Sequence, residues 1–129
     1  MSDYTYRVLE CRVIDGDSAE VTIDLGFSLR WTGSVRIAGI DTPEIRLKSQ
    51  RAAGEVAKLW AEEFCKQPGL ILSSHEWDKY GRVLGDLHSE TDSWSRLLLA
   101  EGLARPYDGG RRAAWSQKEL DAIAGKMPS

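Results

Sequence analysis

The chain has 129 residues, with 17 lysines and arginines against 20 aspartates and glutamates, and a formal net charge of −3. Its length suits a single domain over residues 1–129, and charged residues at 29% with apolar residues at 42% exclude a disordered chain. The acidic balance argues against a protein that coats nucleic acid by bulk electrostatics, and no apolar run approaches the roughly 18 residues of a membrane-spanning helix.

The first forty residues predict three strands. Residues 8–14 are rich in apolar side chains with a period of two, and residues 19–25 alternate cleanly between apolar and polar side chains. Such alternation indicates strands with one buried face. We expect a loop over residues 26–33 and a third strand over residues 35–40, which stops before Pro43 because proline has no N–H for a sheet hydrogen bond.

The hydrophobic period changes to three and four residues from Gln50 to Lys66. This pattern predicts an amphipathic helix, for which Ser49 is the expected cap. Two strands, two helices and a loop are predicted beyond it by the same criteria. They are the strands 70–77 and 83–88, a helix from Asp92 or Ser93 to Glu101, a loop over 103–110, and a helix over about 112–124.

The order of these elements predicts the fold class. Three strands, a helix, two strands and C-terminal helices are expected of a five-stranded OB-type barrel, mainly β with helices, whose first helix lies between strands three and four. A small open α+β sheet is the alternative. In an OB barrel, the loops between strands one and two and between strands four and five lie at the ligand-binding side.

Three charged segments fall at that side of the predicted barrel. Asp15-Gly16-Asp17 lies between strands one and two, Asp41-Thr42-Pro43-Glu44 follows strand three, and Asp78-Lys79-Tyr80-Gly81-Arg82 joins strands four and five. Each segment alone is a common turn sequence. Because the fold brings their loops together, their charged side chains are candidates for one site.

The residue types in these segments point to a chemistry. Asp17 and Asp41 are expected to approach each other, with Glu44 close by, and such like charges are unfavourable unless a cation lies between them. All-oxygen ligands suit a hard ion, calcium or magnesium. Arg36 and Arg82 add two guanidinium forks, which suit a phosphate, and a spare carboxylate can position or deprotonate water. The constellation therefore indicates metal-assisted phosphodiester chemistry.

Three segments resemble, in order, the signature blocks of the staphylococcal-nuclease-like (thermonuclease) family. They are residues 13–18 (VIDGDS), 35–44 (VRIAGIDTPE) and 78–82 (DKYGR). The resemblance extends from about Arg12 to about Tyr107. It implies an OB-fold barrel and calcium-dependent hydrolysis of DNA and RNA, with cleavage of the 5′ P–O bond leaving a 3′-phosphate.

The resemblance also implies roles for single residues around one calcium ion. Asp17 and Asp41 match the metal-binding carboxylates, and Thr42 matches the position that offers its backbone carbonyl. Glu44 matches the acidic residue that serves as general base for the attacking water. Asp15 matches an acidic position near the metal that is not a firm ligand.

The cationic and aromatic positions are implied in the same way. Arg36 and Arg82 match the two arginines that hold the phosphate and offset charge in the transition state. Tyr107 is a candidate for base stacking, in the region where the family's prototype has substrate-stacking tyrosines. Arg111 and Arg112 are expected either to meet phosphates or to face solvent at a helix start.

A rival interpretation comes from a different class of protein. Nuclease-like barrels are also used as nucleic-acid- or protein-binding modules without catalysis, and those usually lose catalytic residues. The present sequence retains all five charged positions, which favours the enzyme. They are Asp17, Arg36, Asp41, Glu44 and Arg82. A third possibility is a nuclease that is active only with a partner, because the low basicity limits the affinity of the free chain for a polymer.

The two cysteines, Cys11 and Cys65, are too few for a disulfide framework and lack the spacing of a zinc or redox site. We interpret them as reduced, buried thiols. The first residues carry no apolar segment typical of a secretory signal. The sequence therefore predicts an intracellular, cytoplasmic location.

Overall fold

The computed structural model describes residues 4–128, apart from the side chain of His75. Five strands close into a barrel, and they are Tyr4–Asp15 (β1), Ser18–Gly26 (β2), Leu29–Ile37 (β3), Ile71–Trp77 (β5) and Val83–His88 (β6). Around the barrel they follow the order β1-β2-β3-β6-β5. The described helices are Arg51–Cys65 (α1), Trp94–Ala100 (α2) and Gln117–Ala124 (α3), and a two-stranded ladder joins Ile40–Asp41 (β4) to Arg105–Pro106 (β7).

This architecture confirms the predicted five-stranded barrel, with α1 between the third and fourth barrel strands. Strands β1, β2 and β3 form an antiparallel meander, and a parallel pairing of β3 with β6 closes the barrel. The alternating residues Ala19, Val21 and Ile23 of β2 are buried, as the period of two predicts. Burial of each large apolar side chain stabilises the fold by roughly 1.5–3 kcal/mol, so this inner face holds the barrel that carries the site.

The prediction of a loop over residues 26–33 is wrong. Gly26, Phe27 and Ser28 all have positive φ angles and form a tight turn, after which β3 begins at Leu29. Strand β3 then pairs with β2 from Leu29 to Arg36, and the hydroxyl groups of Thr22 and Thr32 lie 2.7 Å apart across the two strands. The turn is short because three successive residues adopt the left-handed conformation, which the sequence signals only at the glycine.

The predicted third strand over residues 35–40 is divided in two. Strand β3 ends at Ile37, and Gly39, with a φ of 84°, turns the chain out of the barrel. Ile40 and Asp41 then pair with Pro106 and Arg105, so the predicted loop over 103–110 contains a short strand. Asp41 therefore belongs to a separate ladder beside the barrel.

The predicted helix starts also need correction. Gln50, not Ser49, precedes α1, and it makes no side-chain cap bond. The last helix begins at Gln117 rather than about residue 112, because Ser116 and Glu119 form a reciprocal capping box at its start. Arg112 consequently lies in an irregular segment and not on a helix.

The two cysteine side chains are free and half-buried, with their sulfur atoms 3.3 Å apart between β1 and the end of α1.

The described helices, all within residues 4–128, include none that is long and apolar enough to span a membrane.

Candidate active site

The turn between β1 and β2 places Asp17 at the open end of the barrel. Gly16 packs so closely that a Cβ atom there would lie 2.7 Å from the Cβ of Ala57 on α1. The indole N–H of the fully buried Trp94 donates to the Gly16 carbonyl at 2.7 Å. These contacts fix the turn between two helices, and Asp17 is left only 7% exposed.

The segment after β4 lies directly against Asp17. Asp41 is 2% exposed and Thr42 is fully buried. The backbone N–H of Thr42 donates to Asp17 Oδ2 at 3.2 Å, which joins two of the predicted segments. The Thr42 side-chain hydroxyl is buried and has no hydrogen-bond partner among the described residues.

Glu44 is positioned by the start of α1. Its backbone N–H donates to the side-chain oxygen of Gln50 at 2.8 Å. A Cβ atom on Gly54 would lie 3.0 Å from the Pro43 carbonyl oxygen, so this glycine lets the helix approach the segment that carries Glu44. The predicted general base is therefore held by α1 rather than by the barrel.

The carboxylates of Asp17, Asp41 and Glu44 come together around one guanidinium group, that of Arg112. Arg112 Nη2 lies 3.7 Å from Asp17 Oδ2 and contacts Asp41 Oδ1, and Nη1 contacts Glu44 Oε1. Nε donates to Asp41 Oδ1 at 2.8 Å, and Nη2 donates to the Thr42 carbonyl at 3.4 Å. The predicted convergence of carboxylates is present, and an arginine of the chain itself lies between them.

A second arginine, Arg105, pairs with the same buried Asp41. Its Nε and Nη2 donate to Asp41 Oδ2 at 3.2 and 3.1 Å. The two residues are direct neighbours in the β4–β7 ladder, and the Arg105 guanidinium lies 3.8 Å from the centre of the Trp115 ring. Sequence reasoning did not foresee this role, because two-residue strands leave no periodic signal.

Burial and charge act against each other at this cluster. Burial raises the pKa of Asp17, although the Arg36 guanidinium and the Thr42 N–H favour its charged form. For Arg112, burial disfavours the charge, but the hydrogen bond to Asp41 and the surrounding carboxylates outweigh it and raise the pKa. The site therefore requires positive charge among its acidic groups.

Arg36 is buried on β3 and is held by the backbone. It donates to the Ile37 carbonyl at 2.7 Å and to the Ile40 carbonyl at 2.8 Å, and its Nη2 lies 3.5 Å from Asp17 Oδ2. Its guanidinium lies 5.6 Å from the centre of the Tyr107 ring. Arg36 therefore secures the end of β3 and at the same time faces the site.

A cavity of about 1150 Å³ adjoins the carboxylates and is lined by Asp17, Arg36, Glu44, Arg82 and Tyr107. Arg82 enters it from the β5–β6 turn, where its Nε donates to Asp78 Oδ2 at 2.8 Å. The Tyr107 hydroxyl donates to the Gly110 carbonyl at 2.5 Å. The two predicted phosphate-binding arginines and the predicted stacking tyrosine thus share one cavity.

The oxygen donors suit a hard divalent cation, since Asp17, Asp41 and the Thr42 carbonyl already surround a stand-in cation, the Arg112 guanidinium. In the present arrangement, no three acidic, histidine or cysteine side chains of the described residues are close enough together to hold a metal ion. The planar guanidinium group holds the carboxylates further apart than a calcium ion does, whose ligand oxygens lie about 2.3–2.6 Å from it. The chemistry of these oxygen donors thus suits a hard ion such as calcium, whereas their present spacing around Arg112 does not hold one.

A family model described as "Staphylococcal nuclease homologue" matches residues 34–125, which include Arg36, Glu44, Arg82 and Tyr107, while Asp17 precedes the matched range. A comparison with curated proteins found no match. Because the matched residues make up well over half of the chain, the protein belongs to the family of staphylococcal nuclease homologues.

Proposed function

We propose that this protein is a calcium-dependent endonuclease that hydrolyses phosphodiester bonds of DNA, RNA or both. The observation that carries the proposal is the convergence of Asp17, Asp41 and Glu44 on the Arg112 guanidinium, beside a cavity that Arg36 and Arg82 also line. Three clustered carboxylates select a cation, and two guanidinium groups beside them suit a phosphate.

The proposed ligands of the ion are Asp17, Asp41 and the Thr42 carbonyl. A calcium ion bound there would withdraw charge from a nonbridging phosphate oxygen. The hydrogen bond that the Thr42 backbone N–H donates to Asp17 Oδ2 ties two of these ligands into a fixed arrangement. Such preorganisation limits the cost of reorganisation during the reaction.

Glu44 is proposed to orient the attacking water and to accept its proton on a carboxylate oxygen. Its side chain is 19% exposed, so it reaches the cavity without being freely hydrated. The hydrogen bond from the Glu44 backbone N–H to the Gln50 side-chain oxygen holds the residue in place. A positioned general base of this kind contributes typically about 10²–10⁴-fold to a rate.

Arg36 and Arg82 are proposed to stabilise the negative charge that grows on the phosphoryl group. Each guanidinium is fixed by the fold before substrate arrives, Arg36 by two backbone carbonyls and Arg82 by Asp78. Donors that are fixed in advance stabilise developing charge without having to reorganise. The Tyr107 ring is proposed to stack on a nucleic-acid base, which is worth about 1–3 kcal/mol where it occurs.

One observation favours a second candidate function, a non-catalytic barrel that binds nucleic acid or protein. Arg105 and Arg112 already compensate Asp41, so the acidic cluster is stable without a metal ion. A binding module would keep this arrangement, whereas an enzyme must exchange Arg112 for the ion. Metal-dependent cleavage discriminates between the two.

The test is incubation of the protein with a plasmid, a single-stranded DNA oligonucleotide and a single-stranded RNA oligonucleotide, each with calcium and with a chelator. We expect cleavage of at least one substrate in calcium and none in chelator. The new ends are then analysed, and 3′-phosphates are expected. Absence of cleavage of every substrate, together with metal-independent binding of one of them, would replace the enzyme by the binding module.

A further inference from the structure

Arg112 contacts the same groups that are proposed to serve the metal ion and the water. Its guanidinium lies against Asp17 and Asp41, donates to the Thr42 carbonyl and contacts Glu44. A guanidinium and a calcium ion cannot share this space, because each would bring positive charge to the same oxygen atoms. Binding of one must therefore displace the other.

The segment that carries Arg112 is irregular and largely exposed, so Arg112 can move away from the carboxylates. Residues 107–116 lie between β7 and α3 and form neither helix nor strand. Gly109, with a φ of 92°, and Gly110 precede Arg112, and both are exposed. The side chain of Arg112 is 38% exposed, so it can leave the carboxylates without opening the barrel core. Its neighbours remain anchored, because Arg105 donates to the Ala114 carbonyl at 3.2 Å.

We propose that Arg112 is an internal counter-cation that occupies the calcium position when no metal is bound and thereby sets the calcium affinity of the site. The inference rests on the proposed calcium site. The apparent dissociation constant is the intrinsic constant divided by the fraction of molecules in which the site is open. If Arg112 leaves the site open in about a tenth of the molecules or fewer, its removal tightens calcium binding about tenfold or more.

The first test compares calcium affinity by isothermal titration calorimetry in the wild type, Arg112→Gln and Arg111→Gln. Arg111 is the matched control, because it is the adjacent exposed arginine and the described contacts of the three carboxylates do not include it. We expect about tenfold tighter binding or more in Arg112→Gln and a wild-type value in Arg111→Gln. Equal or weaker binding in Arg112→Gln, or equal tightening in both variants, would overturn the proposal.

A second test uses the wild-type chain and needs no variant to fold. Trypsin cleaves after an arginine only when its side chain is free to enter the protease pocket. Mass spectrometry therefore measures the rate of cleavage after Arg112 in calcium and in chelator. We expect calcium to raise the rate of cleavage after Arg112 relative to the rates at the other lysines and arginines, whereas a ligand that merely stabilises the fold slows cleavage everywhere. Protection of the bond by calcium would contradict the displacement of Arg112.

The outcomes distinguish the counter-cation proposal from the nuclease proposal. If Arg112→Gln binds calcium more tightly but the wild type cleaves no nucleic acid, the counter-cation proposal is supported and the nuclease proposal is rejected. If the wild type cleaves nucleic acid but Arg112→Gln has unchanged calcium affinity, the nuclease proposal is supported and the counter-cation proposal is rejected. Absence of calcium binding in both proteins would overturn the counter-cation together with the metal site.

Discussion

Arg36 and Arg82 are assigned the same chemical role, yet they differ in what they do for the fold. The Arg36 side chain is 9% exposed, bonds two backbone carbonyls and lies beside the buried Asp17. Arg82 is 35% exposed, and its ion pair with Asp78 lies on a turn. A buried pair is costly to break because one charge is left without a partner, whereas an exposed pair contributes little.

Arg36→Ala and Arg82→Ala should therefore separate stability from catalysis. We expect Arg36→Ala to lower the free energy of unfolding by roughly 3 kcal/mol or more and Arg82→Ala by less than ~1 kcal/mol. Both should lower the cleavage rate by about 10²-fold or more, the scale for loss of a charge-stabilising donor. Urea unfolding and initial rates measure the two effects. Equal stability of the two variants would contradict the buried geometry of Arg36.

The candidate site could be predicted from the sequence only in part. The local sequence marks the segments that carry Asp17, Asp41 and Glu44, and the three carboxylates do converge, although the β4–β7 ladder holds Asp41 and the start of α1 holds Glu44. Arg105 reaches Asp41 from a two-residue ladder, and Arg112 reaches all three carboxylates from an irregular segment. Neither feature leaves a repeating pattern in the sequence, so their pairing with Asp41 depends on tertiary structure alone.

At the scale of elements, Asp86 joins the barrel to α2. Its Oδ1 accepts from the backbone N–H of Ser95 in the first turn of α2 at 3.2 Å and from that of Leu87 at 2.9 Å. The Ser95 hydroxyl donates to Oδ2. Burial raises the pKa of Asp86, and these hydrogen bonds only partly oppose it. The ionised carboxylate is therefore less favourable in the folded chain than in the unfolded chain.

This raised pKa predicts the sign of a pH dependence. A carboxyl with a raised folded pKa contributes stability that is fully present below its ordinary value of 3.8 and is lost as pH rises through the folded value. Asn keeps the shape, accepts both N–H groups and can donate to the Ser95 hydroxyl. The free energy of unfolding of the wild type should fall relative to that of Asp86→Asn as pH rises toward neutral. A free energy of unfolding that rises with pH in the wild type relative to Asp86→Asn would contradict the raised pKa of Asp86.

The elements differ in how far their sequence determines them. Strand β2 has a clean alternation, and the structure places it as predicted. The start of α3 carries a capping-box signal at Ser116 and Glu119, which the apolar periodicity alone overlooks. The β2–β3 turn is not visible in the sequence, because Phe27 and Ser28 adopt positive φ angles that their side chains do not favour.

At the scale of the whole molecule, the charge distribution limits how the protein can bind a polymer. The net charge is −3, and Arg105 and Arg112 are both paired with Asp41. The excess of acidic over basic side chains disfavours many contacts with phosphates outside the cavity. Affinity should come from a short stretch of nucleic acid rather than from an extended surface.

The dependence of binding on salt tests this view. Each neutralised phosphate releases counterions, so the slope of log K against log salt counts the contacts. We expect a shallow slope, on the order of −2 to −3, for a short uncleavable single-stranded analogue. Fluorescence anisotropy at several salt concentrations provides the measurement. A much steeper slope would require a basic surface beyond the one described.

The central claim is that Glu44 acts on the reaction within a metal-dependent site. The most direct measurement is the initial rate of oligonucleotide cleavage at saturating calcium for the wild type, Glu44→Gln and Glu63→Gln. Glu63 is the matched control, because it lies on α1, pairs with Lys66 and undergoes the same change of charge. The proposed mechanism predicts a loss of about 10²-fold or more in Glu44→Gln and a wild-type rate in Glu63→Gln. Cleavage that survives Glu44→Gln unchanged would contradict it.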